Sequence, residues 1–130
     1  IASNGDLIGQ PNPVSNLRPV VFHAPENETD LEREFRLERE LVQRWNEEFW
    51  TIHNMKFIKE KKEFLSSIES NSGSTGPVSA DDMSLFYKAF LDKYWKVHLN
   101  YNFQWYLKNV QLVKLALKVN IDHVRRRIFS

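Results

Sequence analysis

No residue of the 130 is a cysteine. Disulfides, thiolate zinc sites and cysteine nucleophiles are excluded together, and a reducing compartment is compatible with the composition. Glycine is scarce, with 4 in the whole chain. There is no Gly-rich phosphate loop, no G-x-S-x-G elbow and no H-E-x-x-H, so the usual footholds for catalysis are missing. A long hydrophobic run is also lacking. The most apolar stretch, Val110 to Ile121, is interrupted by Gln111, Lys114, Lys118 and Asn120, well short of the roughly 20 apolar residues a membrane span needs. The formal net charge is only +1, which argues against a polycation built for nucleic acid. The first residue is Ile1 and not Met, so an upstream targeting segment is expected to have been removed or to lie outside this sequence.

What the chain does have is core-building material. Hydrophobic residues make up 42% and aromatics 13%, enough for one folded domain and unlike a disordered composition. Charge is unevenly placed. Residues 1–78 hold 9 Lys+Arg against 13 Asp+Glu, a net of −4, and residues 79–130 hold 9 against 4, a net of +5. Such a split suits pairing of oppositely charged helices within one fold, or an anionic partner on the C-terminal side.

Residues 1–28 read as an extended arm. Gly5, Gly9, Pro11, Pro13, Pro19 and Pro25 punctuate it, while Leu17, Val20, Val21 and Phe22 offer anchors to a core. A helical domain then covers 29–130. Thr29 with Glu32 three residues on forms a capping box, and Asp30 adds favourable charge to the first turn. Leu31, Phe35, Leu41 or Val42, Trp45, Phe49 and Ile52 follow at helical spacing. Glu32 with Arg36 and Glu40 with Arg44 stand in the favourable acid-first order. His53-Asn54 marks an expected bend, after which Phe57, Phe64 and Ile68 continue the pattern. Residues 70–78, rich in Ser and Gly, read as a linker. Ser79 caps the next helix, with Asp81 and Asp82 in its first turn and Met83, Phe86, Tyr87, Phe90, Leu91 and Tyr94 on one face. Asn100 and Asn102 around Tyr101 predict a turn or kink. From Phe103 the pattern resumes through Tyr106, Val110, Val113, Leu117, Ile121, Val124 and Ile128. The fold expected is all-α, an elongated arrangement of about three long helices with an extended N-terminal arm.

Candidate chemistry is sparse. His23, His53, His98 and His123 are scattered, with none three or four residues from another, so no helical metal pair is present. His98 lies beside Tyr94, Trp95 and Tyr101, where a haem ligand is conceivable, but a surface or core-edge histidine is by far the commoner use. Carboxylates on the first helix alternate with arginine, the pattern of a solvated face and not of paired catalytic acids. Trp45, Trp50, Trp95, Trp105, Tyr101 and Tyr106 mixed with basic residues invite nucleic-acid stacking. Most fall on helical apolar faces, where core packing is the simpler use. Arg125, Arg126 and Arg127 either complement a helix C-terminus or meet an acidic partner or anionic lipid. Asn27-Glu28-Thr29 matches a glycosylation sequon, but the same residues lead into the helix cap.

Several stretches stand in a distinctive order: Ile8-Gly9 through Pro11 to Ser15-Asn16-Leu17-Arg18-Pro19, then Pro25-Glu26-Asn27-Glu28, and Trp45-Asn46-Glu47-Glu48-Phe49-Trp50. Lys59-Glu60-Lys61 with Glu63-Phe64, Phe86-Tyr87-Lys88 with Phe90-Leu91, and Tyr101-Asn102 before Trp105-Tyr106 complete the set. Together they resemble the cytochrome c oxidase assembly factor 8 family, also called apoptogenic protein 1. The likeness runs over roughly residues 7–110. It fades beyond Tyr106, and the linker also departs from relatives.

The resemblance implies a non-enzymatic mitochondrial protein with a cleaved presequence, peripheral on the matrix side of the inner membrane. It would support assembly or maintenance of cytochrome c oxidase (complex IV), and the older name carries a link to apoptosis. It implies no catalytic residues and no bound metal. Copper delivery would need soft sulfur ligands, and Met55 and Met83 are the only sulfur atoms. The expected partners are oxidase subunits or assembly intermediates. Leu17, Arg18, Pro19 and Asn27 of the arm, Trp45, Trp50, Tyr101, Trp105 and Tyr106 of the helices, and Arg125 to Arg127 are the candidate contacts. No cofactor is expected, haem at His98 being the minority alternative. Other readings are an RNA-associated protein of the mitochondrial ribosome, using the basic second half, and a permanent peripheral subunit of a respiratory complex.

Overall fold

The computed structural model describes residues 5–72 and 78–129. Two helices dominate: α1 over Asp30–Ser72, 43 residues, and α2 over Ala80–Phe129, 50 residues. At 1.5 Å per residue α2 is about 75 Å long, so the elongated shape expected from the sequence is present. Among the described residues the helices number two and not three. The expected bend at His53-Asn54 is absent because both side chains are used across the fold. His53 is buried at 7% exposure, and the Asn54 amide donates to the carbonyls of Val14 at 2.8 Å and Ser15 at 3.3 Å. The expected kink at Asn100–Asn102 is absent as well. Tyr101 packs inward while both asparagines stay exposed, and tertiary packing outweighs their modest helix penalty of about half a kcal/mol each.

The Thr29 cap forms as the sequence predicts, but the Glu32 carboxylate accepts from the Thr29 hydroxyl and not from the Thr29 backbone N–H that would complete a capping box. The Glu32 backbone N–H donates to Thr29 Oγ1 at 3.1 Å, and Thr29 Oγ1 donates to Glu32 Oε1 at 3.2 Å. The Asp82 N–H likewise donates to Ser79 Oγ at 3.2 Å at the head of α2. Arg36 does not pair with Glu32. It is forked onto Glu28 at 2.8 and 3.0 Å and reaches Glu40 at 3.2 Å. The expected linker at 70–78 overlaps the last turn of α1, which continues to Ser72, and its residues 73–77 lie outside the described residues.

Among the described residues the arm carries the one departure from an all-α fold. Leu7–Ile8 (β1) and Val20–Val21 (β2) form a two-rung antiparallel ladder, Leu7 opposite Val21 and Ile8 opposite Val20. Between them the chain turns at Asn12, whose Oδ1 accepts from the N–H groups of Val14 and Ser15 at 2.8 and 3.1 Å, an Asx turn. Asn16 takes the left-handed conformation, φ 65°, which Asn tolerates better than other side chains.

Polar side chains of α1 strap this arm down. Gln43 both donates to Val20 O at 2.9 Å and accepts from Val20 N–H at 2.8 Å, standing in for a neighbouring strand at the β2 edge. Buried Ser15, 3% exposed, donates to Glu47 at 2.7 Å. Arg39 lies 4.0 Å over the Phe22 ring and reaches Asp6 at 3.2 Å.

Candidate interaction surface

The seam between α1 and α2 is aromatic and antiparallel. Phe64 stacks on Phe86 at 5.1 Å, Phe57 meets Phe90 edge-on at 5.1 Å, and Tyr101 stacks on Phe49 at 4.2 Å and Trp45 at 5.1 Å. Such ring pairs add about 0.5–1.5 kcal/mol beyond their area burial. The polar tips are satisfied. Trp50 Nε1 donates to Tyr101 Oη at 3.0 Å, and that hydroxyl donates in turn to Asn46 Oδ1. Lys108 sits 4.8 Å from the Trp45 ring centroid. Trp45, Trp50 and Tyr101, named from the sequence as partner contacts, are therefore held in the seam.

The seam also joins two residues that sequence spacing keeps apart. His53 Nε2 and His98 Nε2 lie 2.9 Å apart, one donating and one accepting, although 45 positions separate them. Phe49 stacks on the His53 ring at 5.7 Å, and Phe90 and Tyr94 lie against it at 5.4 and 5.7 Å. Burial pushes the His53 pKa below its ordinary 6.5, and His98 and Lys56 push the same way while Glu60 opposes them. His98 Nε2 is engaged with His53, so an iron ligated through that nitrogen would have to displace this hydrogen bond. Among the described residues no group of three or more His, Asp or Glu is placed to hold a metal ion. Two turns along α1 from His53, Glu60 accepts from Lys93 Nζ at 2.6 Å and from Tyr94 Oη at 2.5 Å, and the Lys93 bond leads the causes that hold its carboxyl below the usual range.

Leu17 and Arg18 line a groove of about 350 Å³ where the arm meets both helices, with Phe22, Val42, Trp105 and Leu112 on its walls. Pro19 is exposed and its carbonyl accepts from Gly9 N–H at 2.8 Å. Asn27 is exposed just before the α1 cap. Trp105 meets Tyr106 edge-on at 5.4 Å, but Tyr106 is 64% exposed on another face. Arg125 and Arg126 both reach Asp122, at 3.6 and 3.0 Å, as a helix end favours. The sequence candidates thus divide among the seam, the groove rim, the arm surface, an exposed face of α2 and its end, and the structure does not gather them into one site.

A continuous surface does exist, and it runs along α2. Buried Leu115 and the half-buried Tyr101, Leu112 and Val119 stand on the α1 side. About 200° around the helix from Leu115 runs a second apolar line: Trp95, Leu99, Phe103, Tyr106, Val110, Val113, Leu117, Ile121, Val124 and Ile128. Every one is exposed by 51% or more. Taken together they put on the order of 1,000 Å² of mostly apolar area on one side of the molecule, above the few hundred Å² usual for an unpartnered patch. Periodicity alone marked most of these positions as one helical face. What α1 covers, however, is the other one. No helix among the described residues is long and apolar enough to cross a membrane.

Comparison with known proteins places this sequence. The sequence model of the family described as cytochrome c oxidase assembly factor 8 matches residues 5–125. A Drosophila melanogaster protein named as a mitochondrial member of that family is 50% identical over 92% of this chain and 66% of its own length. The Homo sapiens cytochrome c oxidase assembly factor 8 is 38% identical over 95% of this chain and 64% of its own. A mitochondrial family member of Caenorhabditis elegans is 38% identical over 89% and 82%. The chain thus spans about two thirds of the length of the fly and human relatives. No solved structure matches it. With its sequence matched nearly end to end, the chain belongs to the cytochrome c oxidase assembly factor 8 family.

Proposed function

We propose that this chain supports assembly or stability of cytochrome c oxidase through protein–protein contact, without catalysis, on the matrix side of the mitochondrial inner membrane. The family name and the mitochondrial names of relatives support the setting. The observation that carries the mode of action is the exposed apolar line along α2, from Trp95 to Ile128. A monomer gains nothing from leaving ten large apolar side chains in water, whereas a docking surface requires them. The seam supplies the rigidity. α1 and the strapped arm hold α2 straight from behind, so a partner meets a preformed ridge.

The test is copurification from mitochondria of the wild type and of Val113→Asp/Leu117→Asp. Oxidase subunits or early intermediates should accompany the wild type and be lost from the variant, whose helix content by circular dichroism stays the same. Stoichiometric recovery of mature oxidase would mark a resident subunit, and substoichiometric intermediates an assembly factor. Ribosomal proteins and RNA in place of oxidase would overturn the proposal. An absorption spectrum of the same sample reports on haem, since a Soret band lost on His98→Ala would assign that histidine as its ligand.

A further inference from the structure

Three properties of the α2 line specify what lies on it. The first is its width. At 100° per residue all ten side chains fall within about 40° of a line through Leu117, a narrow seam and not the broad face of a helix lying in a bilayer surface. The second is its period. Ten positions from 95 to 128 repeat every 3.67 residues or so, close to the straight-helix value and longer than the 3.5 of a left-handed coiled coil. A partner helix can therefore follow α2 for about 50 Å with little supercoiling. Val110, Val113, Ile121, Val124 and Ile128 are β-branched with restricted χ1, so this ridge loses little rotamer entropy when covered.

The third property is the asymmetry of its flanks. Exposed Lys96, Lys114 and Lys118 lie about 60–100° to one side, followed by Arg125. The other flank carries Asn102, Asn109 and Asn120, with Arg127 joining only in the last turn. α2 holds no carboxylate between Asp92 and Asp122. The three lysines make no ion pair among the described residues. A bilayer would favour cations along both edges of the apolar strip. A second copy in antiparallel orientation would set lysines against lysines.

We infer that the α2 ridge receives an amphipathic helix of another protein, bearing Asp or Glu along the single flank that meets Lys96, Lys114 and Lys118. The inference rests on the reading of this ridge as the partner surface of the proposed function, and it names that partner's chemistry.

The test uses the full chain and two synthetic helical peptides with the same apolar positions at 11-residue spacing. One carries Glu along one flank and the other carries Lys there. By fluorescence anisotropy at low salt, the Glu-flanked peptide should bind at least tenfold more tightly, with the preference shrinking as salt rises. Lys114→Glu/Lys118→Glu should reverse the preference, and Val113→Asp/Leu117→Asp should abolish binding of both. Equal binding of the two peptides would overturn the inference. So would failure of either to bind while the protein sediments with phosphatidylcholine–cardiolipin vesicles, or a concentration-dependent dimer by ultracentrifugation that Leu117→Asp dissolves. Peptide preference without recovered oxidase subunits would leave the inference standing and remove the proposed function. Recovered subunits without peptide preference would do the reverse.

Discussion

His53 is a residue whose chemistry is set by its surroundings. Its ring is buried between the helices and its pKa is lowered, chiefly by desolvation, with His98 and Lys56 adding to the effect and Glu60 opposing it. An unfolded chain binds a proton there more readily than the folded one, so stability contributed by the neutral ring is complete above about pH 6.5 and declines as pH falls below that value. His53→Gln, with an amide that can still pair to His98, should flatten the fall in melting temperature between about pH 6.5 and 5; an unchanged slope would place the sensitivity elsewhere. Gly9 is sensitive for a steric reason. A Cβ there would stand 2.8 Å from Pro19 Cγ, so Gly9→Ala must displace the Pro19 ring or the chain beside the two-rung ladder. Limited proteolysis should then cut the arm faster while helical circular dichroism stays constant.

Among the elements, α2 is the one whose continuity its own sequence disguises. Asn100 and Asn102 look like a break, yet both are exposed positions of an unbroken helix. Asn100→Ala should accordingly stabilise the protein by roughly half a kcal/mol in urea unfolding, as an exposed mid-helix position does; a turn at that place would yield no gain. Leu115→Ala removes the most buried apolar side chain, 2% exposed, and should cost about 2–5 kcal/mol. Much of this element-level structure was legible beforehand. The Thr29 and Ser79 caps and the grouping of Phe86 and Phe90 on one helical face followed from local rules, although Tyr87 and Leu91, grouped with them, are exposed. Local rules do not reach the His53–His98 bond, which joins positions remote in sequence. Nor do they say which of two apolar lines on α2 meets α1, because periodicity defines a face without naming what covers it. The short ladder was missed for a related reason. Two residues are too few to show alternation, and the Gln43 side chain supplies pairing that a longer strand would otherwise provide.

For the whole molecule, the acidic-to-basic split along the sequence becomes a split between helices, joined by Lys93 with Glu60 and by His123 with Glu32 at 3.1 Å. The register of those contacts has a kinetic meaning. Loops closed across the seam lengthen steadily from one end to the other: 33 residues at Lys93–Glu60, 45 at the histidine pair, 51 at Trp50–Tyr101 and 91 at Glu32–His123. Because closure entropy grows with loop length, the hairpin should zip from the Phe64–Phe86 end toward the open one. It should also fray in the opposite order. Native-state hydrogen exchange would then show amides near Phe57 and Phe90 opening only with global unfolding, and those beyond Asp122 opening far more often. The last turns of α2, carrying Val124 and Ile128, are thus the part of the ridge freest to adjust when a partner arrives.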